Sequence, residues 1–498
     1  MTGESKTAPW SALTEDSALG RPLCVDLDGT LVATDTLWES VVLLMRQRPW
    51  LVLLAPLWLF GGRAAFKRRV ATHVSLRAAS LPYREDLVEA LRGARERGRK
   101  IVLVTAADRD VAAPVAQHLD LFDEVFASDG EQNLKASVKG EHLVKAYGEG
   151  GFDYVGDALA DIPVFERAAR GYLVGATART ISAARRLDKV TVVSRRPSIV
   201  AAVVKQMRVH QWAKNALVVL PLLLAPGLPE LATVGRGLLA ALTFSLCASA
   251  GYVFNDLLDV EADRAHATKK KRPLASGALP VLFGPPLFLA LLVLSFALSF
   301  ALLSPGFTLM LALYFVGTLS YSLYLKKKLL LDVLVLAGLY THRILAGGVA
   351  TGVPISSWLL GFSIFFFLSL AFAKRYVELR ALTAEKIRNR NYYKADLQMV
   401  SSMGPASGFI AALVFSLYVE VGQAVGTTYR KPVLLWLVVP VLLYWVGRVW
   451  MLAGRGQMQD DPVKFALRDG ISLLCGAVVG CIAVLARFTP EFVLALMR

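Results

Sequence analysis

Between residues 199 and 498 the chain passes through about nine apolar segments, roughly 199–226, 231–254, 281–303, 306–325, 329–350, 356–376, 405–426, 432–452 and 470–489. Inside a bilayer every backbone N–H and C=O must be satisfied within its own segment, so stretches of this length are expected to cross as α-helices. This pattern demands an all-α polytopic membrane domain of about nine helices. The 55% hydrophobic content and mean hydropathy of +0.50 agree with it. A net charge of +16 would by itself suit a nucleic-acid partner. The cations, however, gather in alternate connections: 255–280, 326–328, 377–404 and 453–469, whereas the opposite connections offer little beyond Arg430 and Lys431. That bias marks cytoplasmic loops facing anionic headgroups, and no nucleic acid is expected. It predicts a multi-pass protein of the cytoplasmic (inner) membrane, with the N-terminal residues inside and the C-terminus outside. Residues 1–20 form a polar tail without the apolar run of a signal peptide. Cys24, Cys247, Cys475 and Cys481 show neither C-x-x-C nor zinc spacing.

The second apolar segment ends in Asn255-Asp256-Leu257-Leu258-Asp259-Val260-Glu261-Ala262-Asp263, followed by a basic run from Arg264 to Arg272. Carboxylates at the end of a membrane helix are costly unless they pair or hold a cation. Asn255, Asp259 and Asp263 recur every four residues beside Asp256, so a helix brings most of these oxygens to one side. Hard oxygen ligands suit Mg²⁺, which takes its remaining ligands from water and substrate phosphates. Arg264, Lys271 and Arg272 are placed to hold the rest of a diphosphate.

N-D-x-x-D-x-x-x-D after a membrane helix, with Lys271-Arg272-Pro273-Leu274 downstream, resembles the first signature of the UbiA superfamily of intramembrane prenyltransferases. Further stretches over 199–498 are similar to its decaprenyl-phosphate phosphoribosyltransferase branch. They are Arg208-Val209-His210-Gln211-Trp212-Ala213-Lys214-Asn215, then Tyr321-Ser322-Leu323-Tyr324-Leu325-Lys326 with Asp332 beyond, and Ala373-Lys374-Arg375-Tyr376-Val377-Glu378-Leu379. That resemblance implies 5-phosphoribosyl 1-diphosphate (PRPP) as donor and a polyprenyl (decaprenyl) phosphate as acceptor. Asn255, Asp256, Asp259 and Asp263 would then hold Mg²⁺. Lys214, Arg264, Lys271, Arg272, Tyr321, Lys326, Asp332, Arg343, Lys374 and Arg375 would bind substrate. Lys326, Lys374 and Arg375 also fit ordinary cytoplasmic anchors. Arg343, within an apolar segment, needs a partner, for which Asp332 is a candidate. The other transfer chemistry open to this sequence moves a prenyl group from a polyprenyl diphosphate to an aromatic or other small acceptor.

Ahead of the membrane domain, Leu23 to Asp28 is a short strand candidate ending in Asp26-Leu27-Asp28-Gly29-Thr30. D-x-D-G-T after a strand resembles the first motif of the haloacid dehalogenase (HAD) superfamily. The resemblance implies an α/β Rossmannoid domain in which Asp26 attacks phosphorus and Asp28 serves as acid and base. Ile101 to Ala106 reads as a buried strand carrying Thr105, a hydrogen-bond donor to the phosphoryl group. Gly156-Asp157-Ala158-Leu159-Ala160-Asp161 supplies Asp157 and Asp161, which would hold Mg²⁺ with Asp26. The motif lysine is Lys139 or Lys135, and Lys139 is preferred because it opens a helical stretch to Tyr147. The HAD-like domain is expected over 21–190, with a helical cap at about 35–81 and a linker at 191–198 before the membrane domain at 199–498. Within the cap, apolar residues 51–60 fit either a small core of its own or the membrane surface.

The two resemblances together imply a bifunctional chain. A transferase product still carrying its ribose 5-phosphate would be dephosphorylated by the HAD-like domain, with both active sites facing the cytoplasm. The oligomeric state is not legible.

Overall fold

A computed structural model describes residues 10, 13, 20–52, 54, 57, 58, 60, 62–129, 134, 136–225, 229–382, 385–387, 390–421, 429–458 and 461–488. The chain forms two compact units, Met1–Arg208 with Tyr252–Leu289, and Val209–Gly251 with Ala290–Arg498. The acidic loop at 255–263 thus belongs to the same unit as the N-terminal domain.

In the first unit six parallel strands, β1 (Leu23–Val25), β2 (Ile101–Asp108), β3 (Glu124–Ser128), β4 (Asp153–Gly156), β5 (Gly171–Leu173) and β6 (Val190–Val192), lie in the order β3-β2-β1-β4-β5-β6. The central strands are buried on both faces, as a parallel sheet covered by helices requires. One apolar cluster packs around Leu87, Leu91, Val115 and Tyr172, and another around Leu143, Phe152, Val164 and Phe165. β1 and β4 are neighbours although residues 26–152 of the chain separate them, so the strand order reverses between them. At such a switch point the loops leaving the carboxyl ends of two adjacent strands diverge and leave a crevice. Asp26 follows β1 and Asp157 follows β4, which puts both at that crevice.

The cap is helical. Asp35 caps Thr36–Gln47 by accepting from the Leu37 and Trp38 N–H groups, and a second helix covers Gly62–His73. Leu43, Leu44, Trp58, Phe66, Val70 and Val74 form its core, whereas Trp50, Leu54, Leu57 and Phe60 are exposed. Within the apolar stretch, Trp58 therefore belongs to a core of the cap's own.

Residues 252–289 are bound into this unit by specific contacts. Arg264 forms a forked ion pair with Glu39 of the first cap helix, at 2.6 and 3.2 Å. Gly277, at φ +74°, passes so close to Ala33 that a Cβ would sit 2.3 Å from the Ala33 carbonyl oxygen. Only glycine fits there, on both conformational and steric grounds.

Among the described residues, eight helices are long and apolar enough to cross a membrane: Leu231–Leu258, Val281–Leu302, Pro305–Leu323, Leu331–Thr351, Ser357–Arg380, Lys394–Val421, Pro432–Gly454 and Gly470–Phe488. The expected ninth, at 199–226, is broken into Ile199–Gln206, a 3₁₀ stretch Val209–Val218 and Leu220–Leu224. Arg208 adopts φ +54° and Pro221 opens the last piece without an N–H, so no continuous ladder forms.

The core of the second unit is aromatic and closely packed. Trp450 Nε1 donates to Ser369 Oγ (3.1 Å) and Trp445 Nε1 to Ser472 Oγ (3.0 Å). A Cβ on Gly404 would fall 1.9 Å from the Trp450 ring. A missing side chain lets helices approach where lipid offers no hydrophobic driving force.

Candidate active sites

The crevice of the first unit gathers the residues expected of a phosphoryl-transfer centre. Asp26, Asp157 and Asp161 each offer a carboxylate oxygen within 4.8 Å of the others. Lys139, on the helix Ser137–Tyr147, donates to Asp26 Oδ1 (2.8 Å) and to the Tyr154 hydroxyl (2.9 Å), and lies 3.5 Å from Asp161. Tyr154 in turn donates to Asp161 (2.9 Å). Lys139 thus reaches into this centre, while Lys135 lies outside the described residues. Asp28 accepts from the Thr36 N–H at 2.8 Å. Gly29, at φ +77°, is obligatory, because a Cβ would lie 2.2 Å from the Asp157 carboxylate. Thr105 is buried inside β2, where its hydroxyl accepts from the Ala107 N–H (2.9 Å), so the strand continues past the point at which the sequence suggested it ends.

Burial sets the electrostatics. It raises the Asp26 carboxyl to about 6 against the opposing pull of Lys139, and raises Asp28 to about 7, with Asp35 adding to the effect. Asp157 is pushed well above the usual carboxylate range by burial and by Asp161 and Asp26. Burial works against the Lys139 ammonium, but Asp26 and Asp161 outweigh it and leave its pKa raised. Arg196 and Arg84 also act on Asp157, but only Lys139 among the described residues bonds into the three converging carboxylates, and this oxygen donor set fits a hard divalent cation such as Mg²⁺. The centre opens into a cavity of about 630 Å³ whose lining includes Trp38, Phe66, Lys67, Arg196 and Pro280.

The acidic loop is organised differently. The Asp259 N–H donates to Asn255 O (2.9 Å) and the Asp263 N–H to Asp259 O (2.8 Å), so helical spacing carries through the motif. Arg272 bridges Asp256 and Asp263, and Asp256 also pairs with Arg208 and accepts from Gln206 Nε2 (2.7 Å). Burial raises the Asp263 carboxyl although Arg272 opposes it. Lys271 is exposed. Arg264 donates through Nε to Ala275 O (3.0 Å), through Nη1 to Ser80 O (3.3 Å), and through both Nη atoms to Glu39.

Two polar clusters lie in the second unit. Asp332, fully buried, is 2.8 Å from Arg375 Nε and 3.2 Å from Arg390, and accepts from the Tyr392 hydroxyl (2.7 Å). Arg375 also pairs with Glu378, and Arg390 donates to the Tyr321 hydroxyl (3.2 Å). In the other cluster, Asp461 lies 2.8 Å from Lys214 and 3.5 Å from Lys374. Arg343 is held by Asn215 Oδ1 (2.9 Å), Leu339 O (2.6 Å) and the Tyr314 hydroxyl (3.0 Å), against the Phe244 and Tyr340 rings. These neutral acceptors and aromatic faces, rather than Asp332, satisfy the cation expected to need a partner. Lys326 is partly buried. Sequence reasoning missed Glu39, Tyr154, Arg390, Tyr392 and Asp461; Arg390 stood out only as one more loop cation.

The family model of the UbiA prenyltransferases matches residues 216–494, more than half of the chain. The chain belongs to the UbiA prenyltransferase family. The haloacid dehalogenase-like hydrolase model matches residues 23–166, so this family member carries an N-terminal HAD-like domain. The uncharacterized protein y4nM of Sinorhizobium fredii is 38% identical over 473 residues, covering 93% of this chain and 91% of that one. Decaprenyl-phosphate phosphoribosyltransferase of Mycobacterium tuberculosis is 32% identical over 300 residues, 58% of this chain and 96% of the relative. A solved UbiA homolog from Archaeoglobus fulgidus, bound to DMAPP and Mg²⁺, covers 56% of this chain and 98% of its own, at 14% identity and a TM-score of 0.44. The protein is thus a multi-pass membrane protein combining a prenyltransferase-type domain with a HAD-like hydrolase domain.

Proposed function

We propose that the membrane domain transfers the 5-phosphoribosyl group of PRPP to a polyprenyl phosphate and that the HAD-like domain then removes the 5-phosphate. The observation that carries the first step is the 32% identity to a decaprenyl-phosphate phosphoribosyltransferase across nearly its whole length. An acceptor phosphate is already anionic at neutral pH, so its oxygen attacks ribose C1 without a general base, and the C1–O bond to diphosphate breaks. The protein's task is then to hold charge. Asn255, Asp256, Asp259 and Asp263 would hold Mg²⁺, whose charge would offset that of the departing diphosphate. Arg272 and Lys271 stand beside them for phosphate oxygens, and Lys214 and Lys374 suit the remaining phosphate groups.

For the second step, Asp26 attacks the 5-phosphorus and the bond from phosphorus to the ribose oxygen breaks. Asp28 protonates that oxygen, then takes a proton from the water that releases phosphate from Asp26. Lys139, donating to Asp26 at 2.8 Å, compensates the charge of the phosphorylated centre. Mg²⁺ on Asp26, Asp157 and Asp161 would supply electrostatic stabilisation of the transferring phosphoryl group. The basic loops 255–280 and 377–404 support a cytoplasmic face for both activities in the inner membrane.

The test is a membrane assay with radiolabelled PRPP, polyprenyl phosphate and Mg²⁺, comparing wild type with Asp26→Asn. The expected result is labelled lipid from both, retaining its 5-phosphate only in the variant. Labelled lipid that keeps its phosphate in both defeats the second step alone. Absence of labelled lipid, with consumption of a polyprenyl diphosphate instead, replaces the first step by prenyl transfer.

A further inference from the structure

We infer that Arg264, a residue of the transferase's acidic loop, is a positioning residue for the phosphatase centre. The inference rests on the reading of Asp26 as nucleophile and Asp28 as acid and base. The guanidinium of Arg264 bonds to Ala275 O, Ser80 O and the Glu39 carboxylate, and its side chain and that of Glu39 are only 7% and 4% exposed. Glu39 does not stop at Arg264: its Oε1 also accepts from the Thr34 hydroxyl at 2.7 Å. Thr34 O accepts from the Gly29 N–H at 3.0 Å, and two residues on, the Thr36 N–H donates to Asp28 Oδ1 at 2.8 Å. The path therefore runs from Arg264 through Glu39 to the turn at Thr34–Thr36, and from that turn to the carboxylate that protonates the leaving group.

The turn has further anchors. The Glu39 N–H donates to Asp35 O, and Asp35 caps the same helix through Leu37 and Trp38. These hold the helix start but not the Glu39 carboxylate. Without Arg264 that carboxylate would be a buried charge lacking its cation, a costly state that Glu39 can leave only by turning away. Thr34 would lose its acceptor, and the Thr36 N–H its fixed aim at Asp28. Nucleophile and lysine are held by separate contacts, Asp26 to Lys139 and Lys139 to Tyr154. The expected defect is therefore confined to proton delivery.

That confinement gives a signature which general loosening of the fold does not produce. Substrates with poor leaving groups need Asp28's proton, whereas p-nitrophenolate leaves without one. The value of kcat/KM reports the step in which the leaving group departs. With full-length protein in detergent, Arg264→Met should lower kcat/KM for ribose 5-phosphate at least tenfold and for p-nitrophenyl phosphate less than threefold. Arg264→Lys, which keeps the charge but not the fork, should recover part of the loss. Glu39→Gln combined with Arg264→Met should cost no more than the worse single change. Equal losses on both substrates, or no loss on either, would overturn the inference while leaving the phosphatase reading intact. Wild-type protein that hydrolyses neither ester defeats that reading and the inference with it.

Discussion

The first unit holds two acidic clusters built from the same residue type and organised in opposite ways. At the HAD-like centre, Asp26, Asp157 and Asp161 converge and share one ammonium, so burial and mutual repulsion raise the carboxyls at positions 26 and 157. In the acidic loop, Asp256 and Asp263 are divided between two guanidiniums, Arg272 and Arg208. The first arrangement has one cation in hydrogen-bond contact with its carboxylates, with Arg84 and Arg196 acting on Asp157 from further off, and it is preorganised for a cation. In the second the two carboxylates are already paired, so on the proposed function a metal-diphosphate would have to take the place of existing arginine contacts. Carboxylate spacing alone does not distinguish a waiting site from a latched one; the neighbouring cations do.

The largest effect that could break this contrast is at the proposed nucleophile. Asp26→Asn should lower phosphatase turnover by about 10³-fold or more while transferase activity persists, measured as labelled lipid retaining its 5-phosphate. Loss of both activities would mean that the two clusters are not independent. Next in size, Asp256→Asn should lower transferase turnover by about 10²–10³-fold with phosphatase activity retained, assayed with PRPP and with ribose 5-phosphate on one preparation.

The cations sharpen the comparison. Lys139→Met strands buried carboxylates and should cost about 3–5 kcal/mol in unfolding experiments without added metal, part of it recovered by Mg²⁺. Arg272→Met should destabilise less, because Arg208 still serves Asp256, and should instead raise KM for PRPP by about tenfold, a loss of about 1.4 kcal/mol in binding. A larger stability loss at Arg272 than at Lys139 would reverse the assignment of latched and waiting sites.

The smallest effect lies in the second unit. Burial pushes the Asp461 carboxyl up, but Lys374 and Lys214 bring it down to about 2. A depressed carboxylate pKa contributes stability above its unfolded value, near 3.9, and loses it as pH falls toward 2. Asp461→Asn should therefore lower the melting temperature by a few degrees at pH 6, with the gap closing between pH 4 and 2, as followed by thermal shift in detergent.

Much of this was legible because it depends on local chemistry. The D-x-D-G-T turn, the G-D-x-x-x-D loop and Lys139 sit at strand or helix ends, where a parallel sheet brings them together whatever the intervening loops do. Eight membrane helices followed from segment length. The break in the first apolar segment was not legible, because hydropathy registers neither a positive φ at Arg208 nor a proline at the start of its last piece. Partners of buried cations were less legible. Arg343 sits eleven residues from Asp332, yet its partners are Asn215 and Tyr314, on other segments of the chain. Glu39 gave no signal at all, since one glutamate on a cap helix is ordinary until its partner 225 residues away is known.

The close passage of Gly277 beneath Ala33 bears on how such a chain can be cut or recombined. The membrane portion alone would keep a bare glycine turn shaped for a neighbour that was gone, and Arg264 would lose its carboxylate with it. A detached hydrolase portion would keep Glu39 with no cation. Each portion carries the imprint of the other, so a deletion that separates them leaves unmatched groups on both sides.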